Sequence, residues 1–515
     1  MLKILTASEI RQADAWTIQN EPVKSIDLME RAARACVKWI SGRFNNERHR
    51  FTVFCGTGNN GGDGLAIACL LAKRKYPVEL FIIRQSNKCS DDFLINEKRL
   101  RKLKRVKAHD IRDATALQSL ISPEKYRSNS EIIIDALFGT GLNKPATGLY
   151  ADVIYHINSL KGKVISIDIP SGLFCENNGE NNRKYIIKAH NTLTFQVPKF
   201  SLLFRENEEF TGEFSVLNIG LDEEFINRLP SKNYFLTGDY ISRLIKPRKK
   251  FSHKGNYGHA LLVAGSYGMM GAAVLASKGC LRSGVGLLTA RIPRCGYAVL
   301  QSAVPESLAE PDQSENHISG DVRIENYSAI AIGPGLGKDN ETAQALKMII
   351  QNSARPVIFD ADAINILSEN KTWLSFIPKN SVFTPHPKEF ERLAGKAGND
   401  WERLQMQIDF SKKFNCYVVL KGAHTCITFP DGSTFFNSTG NPGMATGGSG
   451  DVLCGMILSF LAQGYTSAES CLLAVYLHGL AGDLAAKETG IEALVAGDIA
   501  EKIGHAFLFL EKNLA

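Results

Sequence analysis

Two series of short apolar runs, separated by helical stretches and glycine-rich turns, dominate this chain. The first comprises Phe51 to Cys55, Pro77 to Ile83, Glu131 to Ala136, Lys163 to Ile169, His190 to Phe195 and Phe214 to Ile219. The second comprises Ala260 to Ala264, Leu287 to Ala290, Ala329 to Gly333, Pro356 to Asp360, Tyr417 to Lys421 and Cys426 to Phe429. Runs this short and continuously apolar suit strands buried on both faces, which is the condition of a parallel sheet covered by crossover helices. Before the first series, Thr6 to Trp39 has helical periodicity, with Ser8 as the expected N-cap and a second helix starting after Ser25. In the second half, long helices are expected after Gly271, Gly450 and Ser467.

Between about residues 222 and 250 the rhythm lapses into polar sequence with the basic cluster Lys246, Arg248, Lys249 and Lys250. A chain of 515 residues exceeds the size at which one hydrophobic core stops growing, so this lapse reads as a domain boundary between 1–225 and 235–515. A composition 44% hydrophobic and 22% charged excludes a disordered or fibrous chain. The net charge of +7 is spread thinly, and the dense stretch Lys98 to Lys107 reads as a solvated face. With no zinc-finger spacing and no basic stripe interleaved with aromatics, nucleic acid is not an expected partner. The 11 cysteines occur singly with no Cys-x-x-Cys pair, which indicates buried thiols in a reducing compartment. No signal-peptide-like stretch opens the sequence and no apolar run is long enough to span a bilayer, so a cytoplasmic protein without a membrane partner is expected.

After the run ending at Cys55 comes GTGNNGGDG, residues 56 to 64, and then an apolar helix start. Residues 56 to 61 match G-x-G-x-x-G in the strand-to-helix setting of a dinucleotide site, where backbone N–H groups face an anion at a helix N-terminus. That match is weak alone. Asp135 ends IIID before ALFGTGLNKP, and Asp168 ends VISID before IPSG. Strand C-terminal ends line one crevice in a parallel sheet, so Asn60, Asp135, Asp168 and Ser171 can converge. Their oxygens suit a hard cation or a polyol, and a carboxylate among them can act as a base; capping of a strand-end turn is the plainer reading of any one of them.

NNGGDG, DALFGTGLNKP and DIPSG resemble the epimerase half of the bifunctional NAD(P)H-hydrate repair enzymes. The resemblance implies a Rossmann-like three-layer sandwich that interconverts the R and S hydrates of NADH and NADPH. It implies that Asn59, Asn60, Gly61, Gly62 and Asp63, with Gly139, Thr140, Gly141, Leu142, Asn143, Lys144 and Pro145, hold the dinucleotide. It further implies that Asn60, Asp135 and Ser171 ligate K⁺, and that Asp168 contacts the substrate and exchanges its proton. Lys144 stands where relatives often have Arg; it keeps the positive charge and loses the bidentate fork.

The second half carries HKGNYGH (253 to 259), AGSYGMMGAA (264 to 273), GPGLG (333 to 337), KGAHT (421 to 425) and NPGMATGGSGD (441 to 451). No Walker A motif occurs. GGSGD supplies small residues at a helix start, where backbone N–H groups stabilise phosphoryl charge, and Asp451 is placed either as a helix cap or as a general base. Lys421 and His424, just beyond the run YVVL, are within reach of the same place or are ordinary loop residues.

SYGMMGAAVLASKGCLRSGVGLLTA, GPGLG, DADAINIL, TPHPKE, KGAHT and NPGMATGGSGD together resemble the ribokinase-like ADP-dependent NAD(P)H-hydrate dehydratases. The resemblance implies substrate contacts at Ala272, Gly335, His386 and Asp451, and adenine-nucleotide contacts at Lys421, Gly422, Ala423, His424, Thr425 and Gly450. ADP would phosphorylate the hydrate hydroxyl, and loss of phosphate would restore NAD(P)H, leaving AMP. Mg²⁺ would neutralise the phosphates, with Asp360 and Asp362 as either participants or turn caps. Lys388 replaces the commoner Gly of TPHPGE. Relatives assemble, so a homo-oligomer is expected. The rival reading is a sugar or vitamin-precursor kinase fused to a nucleotide-sensing Rossmann-like domain.

Overall fold

In the computed structural model, which describes residues 1–103, 105–121 and 130–514, the chain divides into two compact units. One comprises Lys3–Ser231 with Asn399–Trp401; the other comprises Met1–Leu2, Lys232–Gly398 and Glu402–Ala515.

Among the described residues the N-terminal unit has a seven-stranded sheet: β1 Arg50–Cys55, β2 Val78–Ile83, β3 Lys107–Ile111, β4 Glu131–Ala136, β5 Lys163–Ile167, β6 Asn191–Phe195 and β7 Glu213–Leu217. They lie in the order β3-β2-β1-β4-β5-β6-β7, and every pairing is parallel. Alternate residues of β1 feed two cores. Val53 and Cys55 pack with the Ser25–Ser41 and Asn59–Lys73 helices, whereas Phe54 packs with the Leu149–Ser159 helix on the opposite face. Each fully buried Val, Leu or Phe contributes about 1.5–3 kcal/mol, which is why the runs are continuous rather than alternating. β3 escapes the sequence pattern because it is a polar edge strand, KAHDI, with four of its residues at least partly exposed.

The first helix, Ala7–Asn20, starts one residue after Thr6 rather than at Ser8. Thr6 is extended, and its hydroxyl and Glu9 form a reciprocal capping box, while Ser8 already lies inside the helix. Of the basic stretch, Arg101 pairs with Glu97 and Asp110, and Arg99 faces Glu30 at 3.8 Å; Lys104 lies outside the described residues.

The C-terminal unit holds β8 Asn233–Phe235, β9 His259–Val263, β10 Leu287–Ile292, β11 Leu308–Pro311, β12 Ala329–Ile332, β13 Val357–Phe359, β14 Val382–Phe383, β15 Tyr417–Leu420, β16 Cys426–Thr428 and β17 Thr434–Phe436. From β8 to β11 the sheet runs β8-β17-β16-β15-β14-β13-β12-β9-β10-β11, with β16 antiparallel to both neighbours. Leu262 faces a core that includes the helices Met270–Arg282, Ser449–Ala462 and Ser467–Thr489, while Leu261 and Val263 face a core behind Asn340–Asn352 and Ala361–Glu369. The polar stretch 222–250 is not devoid of structure: it contains the helices Glu223–Arg228 and Gly238–Leu244 and the edge strand β8. β14 has only two residues, too few for any periodicity to register.

The cysteines are all free, with Cys89 and Cys295 half-buried and the rest buried. Among the described residues no helix is long and apolar enough to cross a membrane.

Candidate active sites

In the N-terminal unit the four adjacent strands β1, β4, β5 and β6 deliver consecutive loops to one end of the sheet. The loop after β1 owes its glycines to close packing rather than to backbone handedness. A Cβ at Gly56 would lie 2.2 Å from Leu137 O, and one at Gly61 would lie 1.9 Å from Gly56 O. The Asn59–Lys73 helix begins behind Gly58 with no side-chain cap, so its first N–H groups are not engaged by a capping side chain. Gly61 and Gly62 are buried within the first turn and Asp63 is buried just beyond it, while Asn59 is exposed.

Asn60 is buried and donates from Nδ2 to Phe138 O at 2.8 Å. Its Oδ1 is buried without a hydrogen-bond partner among the described residues. Phe138 N donates in turn to Ser171 Oγ at 2.9 Å, and Ser171 Oγ donates to Asp135 Oδ1 at 2.5 Å. Asp135 is fully buried and also accepts from Ser166 Oγ, Ser171 N and Leu137 N. Burial raises its carboxyl above the ordinary value, against the opposing pull of the Ser171 and Ser166 hydrogen bonds.

Gly139 joins this oxygen cluster to Asp168: a Cβ there would lie 3.1 Å from Asp168 Oδ2 and 3.4 Å from Asn60 Cβ. Thr140 N donates to the same Oδ2 at 3.2 Å. Asp168 has φ +68, a left-handed backbone that costs a non-glycine residue about 1–3 kcal/mol and persists where the surroundings over-determine it. Its Oδ1 meets the buried ammonium of Lys199 at 2.9 Å. The sequence pattern does not point to Lys199, because lysine is a surface residue by default and nothing in QVPKF marks it as inward-facing. Asp14 is a second unforeseen member: burial first, then Asp168, raises its carboxyl to about 6, with Lys199 opposing. Burial followed by Asp168 and Asp14 pushes Asp63 well above the ordinary range. The expected residues Gly141, Asn143, Lys144 and Pro145 are exposed on the turn, with Leu142 half-buried and its N–H bonded to Gly139 O.

In the C-terminal unit the loops after β9, β12, β13, β14 and β15 again follow adjacent strands. The Ser449–Ala462 helix comes close because glycines clear its path: a Cβ at Gly455 would lie 1.9 Å from Ala276 O, and one at Gly279 would lie 2.4 Å from Val452 O. Gly448 caps this helix with φ +88 and no side-chain hydrogen bond. Asp451 is therefore not the cap; it sits in the first helical turn, where no hydrogen bond or ion pair engages its carboxylate among the described residues. Burial, reinforced by Asp360, raises Asp451 to about 7, with Lys421 opposing. A carboxyl titrating near neutrality at an uncapped helix N-terminus can take a proton beside an anion.

Asp360 is buried and accepts from Lys421 Nζ at 3.0 Å and from Thr384 Oγ1 at 2.7 Å. Its side chain thus caps no turn. Burial works against the Lys421 ammonium, and the carboxylates of Asp360 and Glu389 outweigh it, so its pKa lies above the ordinary lysine value. The ammonium also lies against Gly450, whose Cβ would be 3.1 Å away. Asp362 takes a different part, accepting from Gly337 N at 2.9 Å and so fixing GPGLG. Gly335 has φ +58, and its Cβ would lie 2.9 Å from that of Ala272, which brings these two expected residues together. His386 caps the Pro387–Ala394 helix through Nδ1, which accepts from Lys388 N and Glu389 N, so the lysine at 388 leaves the cap intact. Burial lowers His386 despite Glu389. The rest of KGAHT forms the loop that follows β15. Thr425 Oγ1 closes its own loop on Gly422, His424 Nδ1 faces Asn437 O at 3.0 Å, and Gly422 and Ala423 are exposed. Two unforeseen residues of the Ser467–Thr489 helix shape the glycine loop: Asp483 accepts from Gly440 N and Asn441 Nδ2, and His478, pushed down to about 4 by burial, faces Ser449 Oγ.

The buried, unpartnered Asn60 Oδ1 is an atom that a K⁺ would satisfy, and Ser171 Oγ shares Phe138 O with Asn60 Nδ2. In the second unit no cluster of three His, Cys, Asp or Glu residues occurs among the described residues and Asp360 is paired with Lys421, so a Mg²⁺ there would rest on few protein ligands together with nucleotide phosphates.

A family model described as NAD(P)H-hydrate dehydratase matches residues 260–505, and one described as YjeF-related protein N-terminus matches residues 25–201. The bifunctional NAD(P)H-hydrate repair enzyme Nnr of Moorella thermoacetica is 34% identical over 530 residues, covering 99% of this chain and 98% of its own. The enzyme of the same name from Thermofilum pendens is 34% identical over 509 residues, covering 96% and 94%. Among solved structures, an ADP/ATP-dependent NAD(P)H-hydrate dehydratase from Bacillus subtilis, co-crystallized with ATP/Mg²⁺, is 32% identical with a TM-score of 0.47, covering 54% of this chain and 98% of that one.

Proposed function

The chain belongs to the family of bifunctional NAD(P)H-hydrate repair enzymes, and from that premise we propose which residues perform each step. It is an isomerase and a lyase that repairs hydrated NADH and NADPH, with a Rossmann-like N-terminal fold and a ribokinase-like C-terminal one. Membership displaces the alternative of a sugar or vitamin-precursor kinase.

We assign epimerisation to residues 1–225 and dehydration of the S hydrate to 235–515. Asn59 to Asp63 and Gly139 to Pro145 hold the hydrated dinucleotide, and Asp168 Oδ2 exchanges a proton with it. Loss of the hydroxyl as water needs one proton, and re-addition of water to the opposite face returns one, so a single carboxylate closes the cycle. Asn60, Asp135 and Ser171 would hold K⁺, which when bound supplies positive charge beside the glycine turn. The orphaned Asn60 oxygen supports that part of the reading.

In the C-terminal unit Asp451 takes the proton of the hydrate hydroxyl as that oxygen attacks the terminal phosphorus of ADP, releasing AMP. Phosphate then leaves with the same oxygen as the neighbouring ring carbon gives up a proton to solvent, so that the ring double bond forms and NAD(P)H is restored. Lys421, Gly422, Ala423, His424, Thr425 and Gly450 line the nucleotide, while Ala272, Gly335 and His386 face the hydrate. Mg²⁺ in this reading travels with the nucleotide phosphates, as its oxygen-rich coordination allows. The observation that carries the assignment is the Asp451 carboxyl, raised to about 7 on the uncapped first turn behind Gly448. The reading extends to a cytoplasmic homo-oligomer on the resemblance alone.

The test is incubation of a mixed R and S hydrate pool with ADP, and separately with ATP, following reduced dinucleotide by absorbance. Complete conversion with release of AMP and phosphate is expected with ADP. Accumulation of a stable phosphorylated product, or recovery of only the S fraction, would contradict the two-site scheme.

A further inference from the structure

Lys199 is the most deeply buried cation near the first site, with a side chain 1% exposed. Taking an ammonium out of water is costly unless it is paired and hydrogen-bonded, and here three acceptors meet it: Thr194 Oγ1 at 2.7 Å, Phe195 O at 2.9 Å and Asp168 Oδ1 at 2.9 Å. Two of these acceptors belong to β6, whose neighbour β5 leads directly into Asp168. The backbone ties the same places together, because Asp168 N donates to Leu193 O at 2.7 Å. Asp168 is thus gripped twice, at its amide and at one carboxylate oxygen, while it occupies a strained left-handed conformation. The other oxygen, Oδ2, is left at the turn of Gly139 and Thr140.

We propose that Lys199 is the positioning residue of the epimerisation site, tying down Asp168 Oδ1 so that Oδ2 alone exchanges protons with the substrate. This rests on the proposed role of Asp168. Among the described residues, the groups that feel this pair include the acids Asp14 on the Ala7–Asn20 helix, Cys36 on the Ser25–Ser41 helix, Asp63 on the Asn59–Lys73 helix, and Cys175 beside Glu176 in the loop after β5. Lys199 therefore offsets several groups whose ionisation would oppose that of Asp168.

The experiment compares Lys199→Met, Thr194→Val and Asp168→Asn in the full chain without nucleotide. R and S hydrates are separated by chromatography, kcat and KM are measured from pH 5 to 9, and folding is checked by circular dichroism. Lys199→Met is expected to move the acid limb of the kcat profile to higher pH by about one to three units, with KM changed less than about two-fold. Thr194→Val keeps the ammonium and removes one acceptor that aims it; it is expected to fold and to lower kcat about three-fold at unchanged KM. A folded Lys199→Met protein with the parental profile overturns the assignment, and so does parental kcat in Thr194→Val should Lys199→Met not fold. Asp168→Asn at the parental rate would instead remove the reading on which the proposal stands, so the two failures are told apart.

Discussion

Replacing Asp451 with Asn is expected to stabilise the C-terminal unit while it abolishes dehydration. The folded protein holds this carboxyl at about 7 against an ordinary value of 3.8, chiefly through burial. A folded-state pKa above the unfolded one means that the folded chain binds more protons between those two values, so stability falls as pH rises through that window. The loss is absent below about pH 4 and complete above about pH 7, where the gap corresponds to an upper bound of about 4 kcal/mol. Asn keeps the shape and cannot ionise, so at pH 8 it recovers most of that amount and at pH 4 almost none. Loss of a general base lowers kcat by about 10²- to 10⁴-fold. The assay is hydrogen exchange of the Ser449–Ala462 amides at several pH values, which isolates one unit of a two-unit chain whose global unfolding need not be two-state. Epimerisation measured on the same sample should be unchanged. A variant that is destabilised at pH 8, or whose stability change does not vary with pH, would refute the raised carboxyl, and dehydration at the parental rate would remove Asp451 from the reaction.

The wild-type dehydration rate, read by absorbance with saturating ADP, is expected to rise about ten-fold between pH 6 and pH 8, following ionisation of Asp451. Asp360→Asn leaves the Lys421 ammonium without its closest carboxylate, so a loss of about 3–5 kcal/mol is expected by thermal unfolding. In the same variant the acid limb of dehydration should move to lower pH, because a negative charge near Asp451 is gone. Gly335→Ala imposes a Cβ 2.6 Å from Met269 O at φ +58 and is expected to cost about 1–3 kcal/mol, with reduced dehydration and intact epimerisation. Replacing K⁺ by choline should slow epimerisation in the parent, and Asn60→Ala should raise the K⁺ concentration needed for half-maximal rate; an Asn60→Ala protein with the parental K⁺ response would remove Asn60 from the ion.

The alternation of apolar runs with glycine turns was enough to establish two α/β units, because burial of a strand on both faces writes itself as a continuous apolar run whatever the tertiary details. It also located the loops, since residues at strand C-terminal ends must share an edge in a parallel sheet. Strands that break the rule were invisible: β3 is polar because it lies at an edge, and β14 is two residues long. The T-x-x-E signature at Thr6 was present in the letters and marks the helix start better than Ser8 does. What the letters could not hold was the partner of each charge. Asp360 looks like a turn cap until its side chain is seen to meet Lys421, and Lys199 looks like a surface lysine until β6 turns it inward onto Asp168. Asp451 is the same letter in a helix cap and in a base; only the burial around it, and the nearby Asp360, lift it to about 7. Pairing and desolvation depend on distances between residues far apart in sequence, and tertiary packing alone sets those distances.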